Sequence, residues 1–314
     1  MKSADHPQSP FPTPAAVHSY ITTHEIPARC RHLPENEVRA VFRYGAIVGS
    51  LIHPFPRLDR GMDEARRIID GYEKQRRSFP SGMVILAETL TGGKGRFQRY
   101  WHAPPGGVWM TMVLVNTLLP EISRLLPLAA GVACCETMRN FGLDAHIKWV
   151  NDVHVGGRKA AGILLETFYG KEFGEEYILI GAGLNVNNRH FPPELENMAV
   201  SMARLLGREL DLQLLITDLL AKFAWNIGLL CRREEHLLAE GELLPAMAGS
   251  PLLDRWRSLS DSIGRRVLFG YDVQLRPQFE ARVVGIDDDG GLRLRTLEDD
   301  VEVTEYGGEI VYLD

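Results

Sequence analysis

Three short apolar runs constrain this chain more than any other feature: MVILA at 83–87, VWMTMVLV at 108–115 and YILIG at 177–181. Each is too short for an independent helix and reads as a buried strand. Segments with helical spacing lie between and after them. MDEARRIIDGYEKQRR, from Met62, has an acidic start, apolar positions at Ala65, Ile68 and Ile69, and a basic end, the charge order that suits a helix dipole. A long helix is expected over 120–141, with Pro120 and Glu121 at its start and Gly142 just past its end. Residues 147–150 read as a short strand, and HVGGRKAAGILLE as a hairpin turning at 156–157. Residues 197–243 are expected to be mostly helical.

The pattern changes near residue 260. From Arg265 the chain alternates with period two through RRVLFGY, VQLRP, FEARVVGID, LRLRTL, VEVTE and EIVYLD, with turn signals at 289–291 and 307–308. Such spacing predicts a small β-barrel or sandwich. The reading is therefore α+β, with a tail and extension over 1–56, a main domain over 57–260 and a β-rich domain over 261–314. The first fifteen residues are proline-rich without an apolar block, as in a disordered tail rather than a secretory leader. Residues 16–56 show no helix–turn–helix pattern and read as extra structure packed on the main domain.

No apolar run reaches the roughly 18 residues that span a bilayer, and a net charge of -6 argues against a polyanion partner. Neither DNA nor membrane is an expected partner, and the expected location is the cytoplasm. Cys30, Cys134, Cys135 and Cys231 lack C-x-x-C spacing and are expected to be buried free thiols.

Three segments carry chemistry. In GGKGRFQRYW, residues 92–101, Gly92, Gly93 and Gly95 are expected to permit positive φ and close backbone approach, while Lys94, Arg96 and Arg99 bring three cations to one loop. A glycine-rich basic loop after a strand suits a polyphosphate or acyl phosphate. A solvated basic loop fits equally, and no Ser or Thr follows the lysine as in a Walker A loop. KWVNDVHVGGRKAAGILLE, residues 148–166, places Lys148, Asn151, Asp152 and Lys159 among apolar strand residues, where polar groups need a partner or a ligand. Small Ala160, Ala161 and Gly162 leave room beside Lys159; an Asp152–Lys159 structural ion pair fits equally. GAGLNVN, residues 181–187, lacks the third glycine of a dinucleotide fingerprint.

In that order, these segments and the β-rich end resemble the biotin–protein ligase family over residues 57–314. The resemblance implies a central mixed sheet with helices on one face, of the class II aminoacyl-tRNA synthetase and biotin ligase type, followed by an SH3-like barrel. It implies adenylation of biotin with ATP and Mg²⁺, then transfer to a lysine of a biotin carboxyl carrier protein. It also implies that Gly93, Lys94, Gly95 and Arg96 close over biotin and the adenylate, and that Trp101 packs on the adenine side. Lys148, Asn151 and Asp152 fall on the family's KWPND motif, with Val150 in place of its proline. By the same resemblance Asp152 takes Mg²⁺ or orients the amine, and Lys159 holds the acid's carboxylate and the α-phosphate. Arg99 belongs to the same cationic loop, Gly162 and Ile163 line the pocket floor, and Asn185 lies near the nucleotide. The family's N-terminal DNA-binding domain is not legible here, and a homodimer through sheet edges is a family option.

Two departures fall on the biotin side. Arg60-Gly61-Met62 stands where the family has Ser-Thr-Asn, and Leu90 where it has glutamine. Both are expected to remove hydrogen-bonding groups for the ureido head, at roughly 1–3 kcal/mol each. Lipoate, octanoate or another acid is the alternative substrate, and a non-catalytic ligand-binding homologue the alternative of another class.

Overall fold

In the computed structural model, which describes residues 10–239 and 250–313, the three apolar runs become neighbours in one sheet. Its strands are β1 (Ile52–Phe55), β2 (Met83–Ala87), β3 (Val108–Val115), β4 (Ala145–Lys148), β5 (Asp152–Val155), β6 (Arg158–Tyr169) and β7 (Glu176–Leu184). They lie in the order β1-β2-β3-β7-β6-β5-β4. β1 and β2 are parallel and every other pairing is antiparallel, so the sheet is mixed as expected. All of β2 is buried because helices cover both faces of the sheet.

The helices begin with α1 (Pro14–Tyr20), which continues through a π-helical stretch, Ile21–Glu25, into α2 (Ile26–Arg29). They continue with α3 (Glu35–Gly45), α4 (Gly61–Lys74), α5 (Pro120–Ser123), α6 (Leu126–Asn140), α7 (Met202–Leu206), α8 (Leu212–Leu238) and α9 (Pro251–Leu259). α6 packs on one face of the sheet, with α8 behind it, and α1 and α3 pack on α8. α4 covers the opposite face, so the helices are not confined to one side. The segment read as an extension also supplies β1, an integral edge strand.

Several expectations are corrected. The helix expected over 120–141 is broken into α5 and α6 at Arg124–Leu125. Pro127 has no N–H and its ring excludes a helical carbonyl four residues earlier, so it begins a new helix rather than continuing one. α8 is, contrary to expectation, long and apolar enough to cross a membrane. Yet 89% of its most apolar window is buried inside the protein, where it serves as the core helix. Its interrupting polar residues are paired: Lys222 Nζ lies 2.6 Å from Glu25 Oε1, and Asp218 accepts from Tyr20 at 2.8 Å and Asn140 at 2.9 Å. Cys134 and Cys135 are buried free thiols, whereas Cys30 and Cys231 are only partly buried. Of the expected tail, residues 1–9 lie outside the described residues, and 14–15 already belong to α1. Residues 240–243 of the expected helical stretch also lie outside them.

The C-terminal strands are β8 (Arg266–Gly270), β9 (Phe279–Ile286), β10 (Leu292–Thr296), β11 (Glu302–Glu305) and β12 (Glu309–Tyr312). They form an antiparallel sheet in the order β11-β10-β9-β8-β12, which fits the expected SH3-like unit. VQLRP is not a strand: the N–H groups of Leu275 and Arg276 both donate to Asp272 O, a turn that Pro277 closes. The apolar interior of this sheet, including Val267, Phe269 and Leu294, is continuous with the main core.

Candidate active site

The face of the sheet under α4 is bare of side chains at three glycines, Gly162, Gly181 and Gly183. Gly162 of β6 pairs with Gly183 of β7, and Gly183 with Trp109 of β3. Two residues along, Leu164 pairs with Gly181, and Gly181 with Thr111. Same-face positions recur every second residue, so Gly162, Leu164 and Glu166 form one row. A Cβ at Gly183 would lie 2.7 Å from Trp101 Nε1, and one at Gly162 would lie 2.9 Å from Lys159 Cε. Over this floor opens a cavity of about 580 Å³; the residues to which the resemblance gave a role line it, whereas Gly92 does not.

Lys159 and Asp152 pair across the β5–β6 hairpin, with Lys159 Nζ 2.6 Å from Asp152 Oδ1. Lys159 Nζ also lies 5.2 Å from the centre of the Trp101 ring. Burial alone raises the Asp152 carboxyl, but Lys159 and then His154 outweigh it and hold the group well below the usual carboxylate range. Asn151 Nδ2 donates to Ile163 O at 2.6 Å, tying the turn before β5 to β6. Asn185, just past β7, is buried; its N–H donates to Ala160 O at 2.9 Å and its Oδ1 accepts from Asn188 at 3.1 Å.

The 92–101 loop folds over this floor. Gly95 N donates to Arg99 O at 2.8 Å and Trp101 N to Gly93 O at 2.9 Å, which places Lys94 opposite Tyr100. The expectation of positive φ at Gly92, Gly93 and Gly95 is wrong; Phe97 (φ 55) and Gln98 (φ 61) take the left-handed conformation instead. The glycines serve close approach: a Cβ on Gly93 would lie 2.6 Å from Trp101 O. Arg96 Nη1 donates to Gly308 O at 2.6 Å. Burial lowers the Arg96 guanidinium from its usual value, and Glu309 and Asp152 oppose this. Arg99 pairs with Glu309 at 2.8 Å and with Asp272, so C-terminal residues hold the loop's two arginines. Leu90 bridges Leu58 and Ala103 at the base of the loop.

Lys148 closes the cationic wall. Burial pulls its ammonium below the ordinary lysine value; Asp152 partly restores it and Lys159 opposes it. Glu309 and Asp261 also act to raise it, and its Nζ lies 5.1 Å from the centre of the Tyr312 ring. Below its lowered pKa Lys148 is a cation, and as pH rises through that value the wall loses a positive charge. Anion binding in the cavity is therefore expected to weaken at a pH below the ordinary lysine range, and Lys148→Arg to move that alkaline limb upward. A titration of ATP binding against pH checks this; identical limbs in both proteins would exclude Lys148 as the titrating group.

Asp152 is paired with Lys159 at 2.6 Å. Among the described residues no group of three or more His, Cys, Asp or Glu side chains is placed to hold an ion. Asp152 therefore offers a single carboxylate oxygen set, which fits Mg²⁺ only as a partner to phosphate oxygens. The cavity does contain an orphan donor: Trp101 Nε1 is buried without a hydrogen-bond partner and faces the bare floor at Gly183. An acceptor on a bound ligand satisfies such a group.

Sequence reasoning missed several lining residues. Gly181 and Gly183 belong to a segment that carries the resemblance but were given no contact of their own, although glycines inside a strand signal close approach of another group. The C-terminal Val273, Glu309 and Ile310 gave no local signal, and Arg60 stood out only as a departure from the family's Ser-Thr-Asn, with no contact assigned to it.

Residues 68–185 match the Biotin/lipoate A/B protein ligase family, and residues 262–312 the Biotin protein ligase C terminal domain. A bifunctional ligase/repressor BirA of Bacillus subtilis (strain 168) is 30% identical over 231 residues, 72% of this chain and 66% of that protein. The Escherichia coli (strain K12) protein of the same name is 30% identical over 240 residues, 73% of this chain and 66% of that one. The chain thus spans 66% of the length of these relatives. A biotin protein ligase from Aquifex aeolicus, solved with biotin and ATP, superposes with a TM-score of 0.64 at 20% identity, over 83% of this chain and 99% of that one. At that identity the likeness establishes the fold.

Proposed function

This chain belongs to the biotin/lipoate A/B protein ligase family, and on that premise we propose that it is a biotin–protein ligase. It activates biotin with ATP to biotinyl-AMP and passes the acyl group to a lysine of a carrier protein, such as a biotin carboxyl carrier protein. The observation that carries this reading is the meeting of Lys159, Asp152, Lys148 and Arg96 in one cavity over a glycine floor.

The first step brings two anions together. A carboxylate oxygen of the acid attacks the α-phosphorus, the bond to the bridging oxygen breaks, and pyrophosphate leaves. At 4 Å and an effective dielectric of 20, one pair of unit like charges costs about 4 kcal/mol. Lys159 at the floor and Arg96 on the loop reverse that sign when the two anions lie between them. Asp152 fixes the Lys159 ammonium, and Arg96 and Arg99 are aimed by the C-terminal sheet before any ligand arrives. Magnesium bound with the nucleotide supplies further charge on the phosphates. In the second step an uncharged lysine amine attacks the acyl carbon and AMP departs, which needs no further activation. A cytoplasmic location, where ATP and carrier protein are both present, accords with this reaction.

Incubation with ATP, labelled pyrophosphate and each candidate acid tests the reading. Biotin-dependent exchange of label into ATP is the expected result. Exchange with only lipoate or octanoate moves the function to another acid, and no exchange with any of them removes it.

A further inference from the structure

Besides the cations beside Lys159, the cavity lining carries the guanidinium side chain of Arg60. Along β6 the row Gly162, Leu164, Glu166 runs away from Lys159, about 13 Å from first to last at ~3.3 Å per residue. α4 crosses this end. A Cβ on Gly61 would lie 2.4 Å from Thr111 Oγ1, and Met62 Cε lies 2.8 Å from where a Cβ on Gly181 would stand. Met62, Leu90 and Leu164 make the wall apolar there. Arg60 breaks that wall: it lines the cavity, and its side chain is only 13% exposed.

Arg60 is held rather than free to swing. Its Nη2 donates to Glu166 Oε1, and the other carboxylate oxygen of Glu166 accepts from Arg66. Arg60 Nη1 lies 3.7 Å from Asp63 Oδ1, and Nη2 lies 3.9 Å from Met62 Sδ. One carboxylate clamped by two guanidinium groups fixes the orientation of Arg60, whose fork has five N–H donors. Among the described residues Arg60 Nε and Nη1 make no hydrogen bond, and the residue lines the cavity. Loss of the family's Ser-Thr-Asn was expected to strip hydrogen-bonding groups from this end; Arg60 supplies donors there instead.

We propose that Arg60, positioned by Glu166, selects an acid whose far end carries a hydrogen-bond acceptor such as a ureido carbonyl. This inference rests on the acid-activating reading above. An acid with a saturated apolar end leaves the Arg60 donors desolvated and unpaired, which disfavours it. Glu166 is a positioning residue: it touches Arg60 and not the acid.

The experiment compares biotin with octanoate in acid-dependent pyrophosphate exchange, for the full chain and for Arg60→Met, Arg60→Lys and Glu166→Gln. Wild type is expected to prefer biotin. Arg60→Met should raise the KM for biotin about 10-fold, as expected on losing a hydrogen bond to a charged donor, and shift the biotin-to-octanoate ratio of kcat/KM toward octanoate. Arg60→Lys should restore part of the preference, and Glu166→Gln should weaken it with kcat nearly kept. Octanoate-dependent exchange in each variant reports that the protein is folded. Equal loss of both acids in Arg60→Met, or an unchanged ratio, overturns the inference. So does a wild type that uses octanoate and not biotin, which leaves adenylation intact. A wild type inactive with every acid instead removes the ligase reading itself.

Discussion

Replacing Lys159 by alanine is expected to slow biotin-dependent pyrophosphate exchange by about 10²–10³-fold, the loss that follows removal of one preorganised charge-stabilising donor. The fold should survive, because the Lys159 side chain is 33% exposed within the cavity and belongs to no apolar core. Asp152 reports the change independently. Its carboxyl is held low in the folded protein, so its contribution to stability is present above the unfolded value of about 3.9 and is lost only as pH falls through the lower folded value. Without Lys159 the burial of Asp152 is less compensated, its pKa rises, and acid unfolding should begin at a higher pH than in wild type. Exchange assays and acid titrations followed by circular dichroism read both effects. Near-normal exchange in Lys159→Ala would remove Lys159 from the reaction and with it the site assignment.

Gly183→Val is expected to cost on the order of 100-fold in biotin affinity, an overpacking loss of about 3 kcal/mol. The substitution suits the backbone: Gly183 is not among the positive-φ residues, it pairs on both sides within β7, and valine favours strands. Its cost lies in the cavity. The first added carbon would already stand 2.7 Å from Trp101 Nε1 and 2.8 Å from Trp101 Cε2. Trp101 sits on the 92–101 loop, so it is displaced into the ligand space while the sheet persists. Calorimetric titration with biotin, set beside thermal unfolding, separates the two. A variant that unfolds normally and binds biotin as wild type does would show that the acid does not lie over this floor.

Much of the molecule was legible locally. The runs 83–87, 108–115 and 177–181 announced β2, β3 and β7 because uninterrupted apolar strands survive only when covered on both faces. The glycine-rich basic loop and the hairpin carrying Asp152 and Lys159 were legible because turn chemistry and buried charge leave marks within a few residues. The helix expected over 120–141 is interrupted for an equally local reason: Pro127 cannot continue the preceding turn and starts a new helix.

The sequence alone determined which elements exist and which side chains are chemically out of place in them, because periodicity, glycine and buried charge act over short spans of chain. Tertiary structure alone decided what those side chains meet. Glu166 clamps Arg60 from 106 residues away, and Glu309 aims Arg99 from 210 residues away. Strand register and the docking of the C-terminal sheet set these meetings, and neither is encoded in the spacing of residues along any one segment. A one-residue slip of β6 against β7 would turn Gly162 and Glu166 to the other face and leave no floor for an acid to lie on.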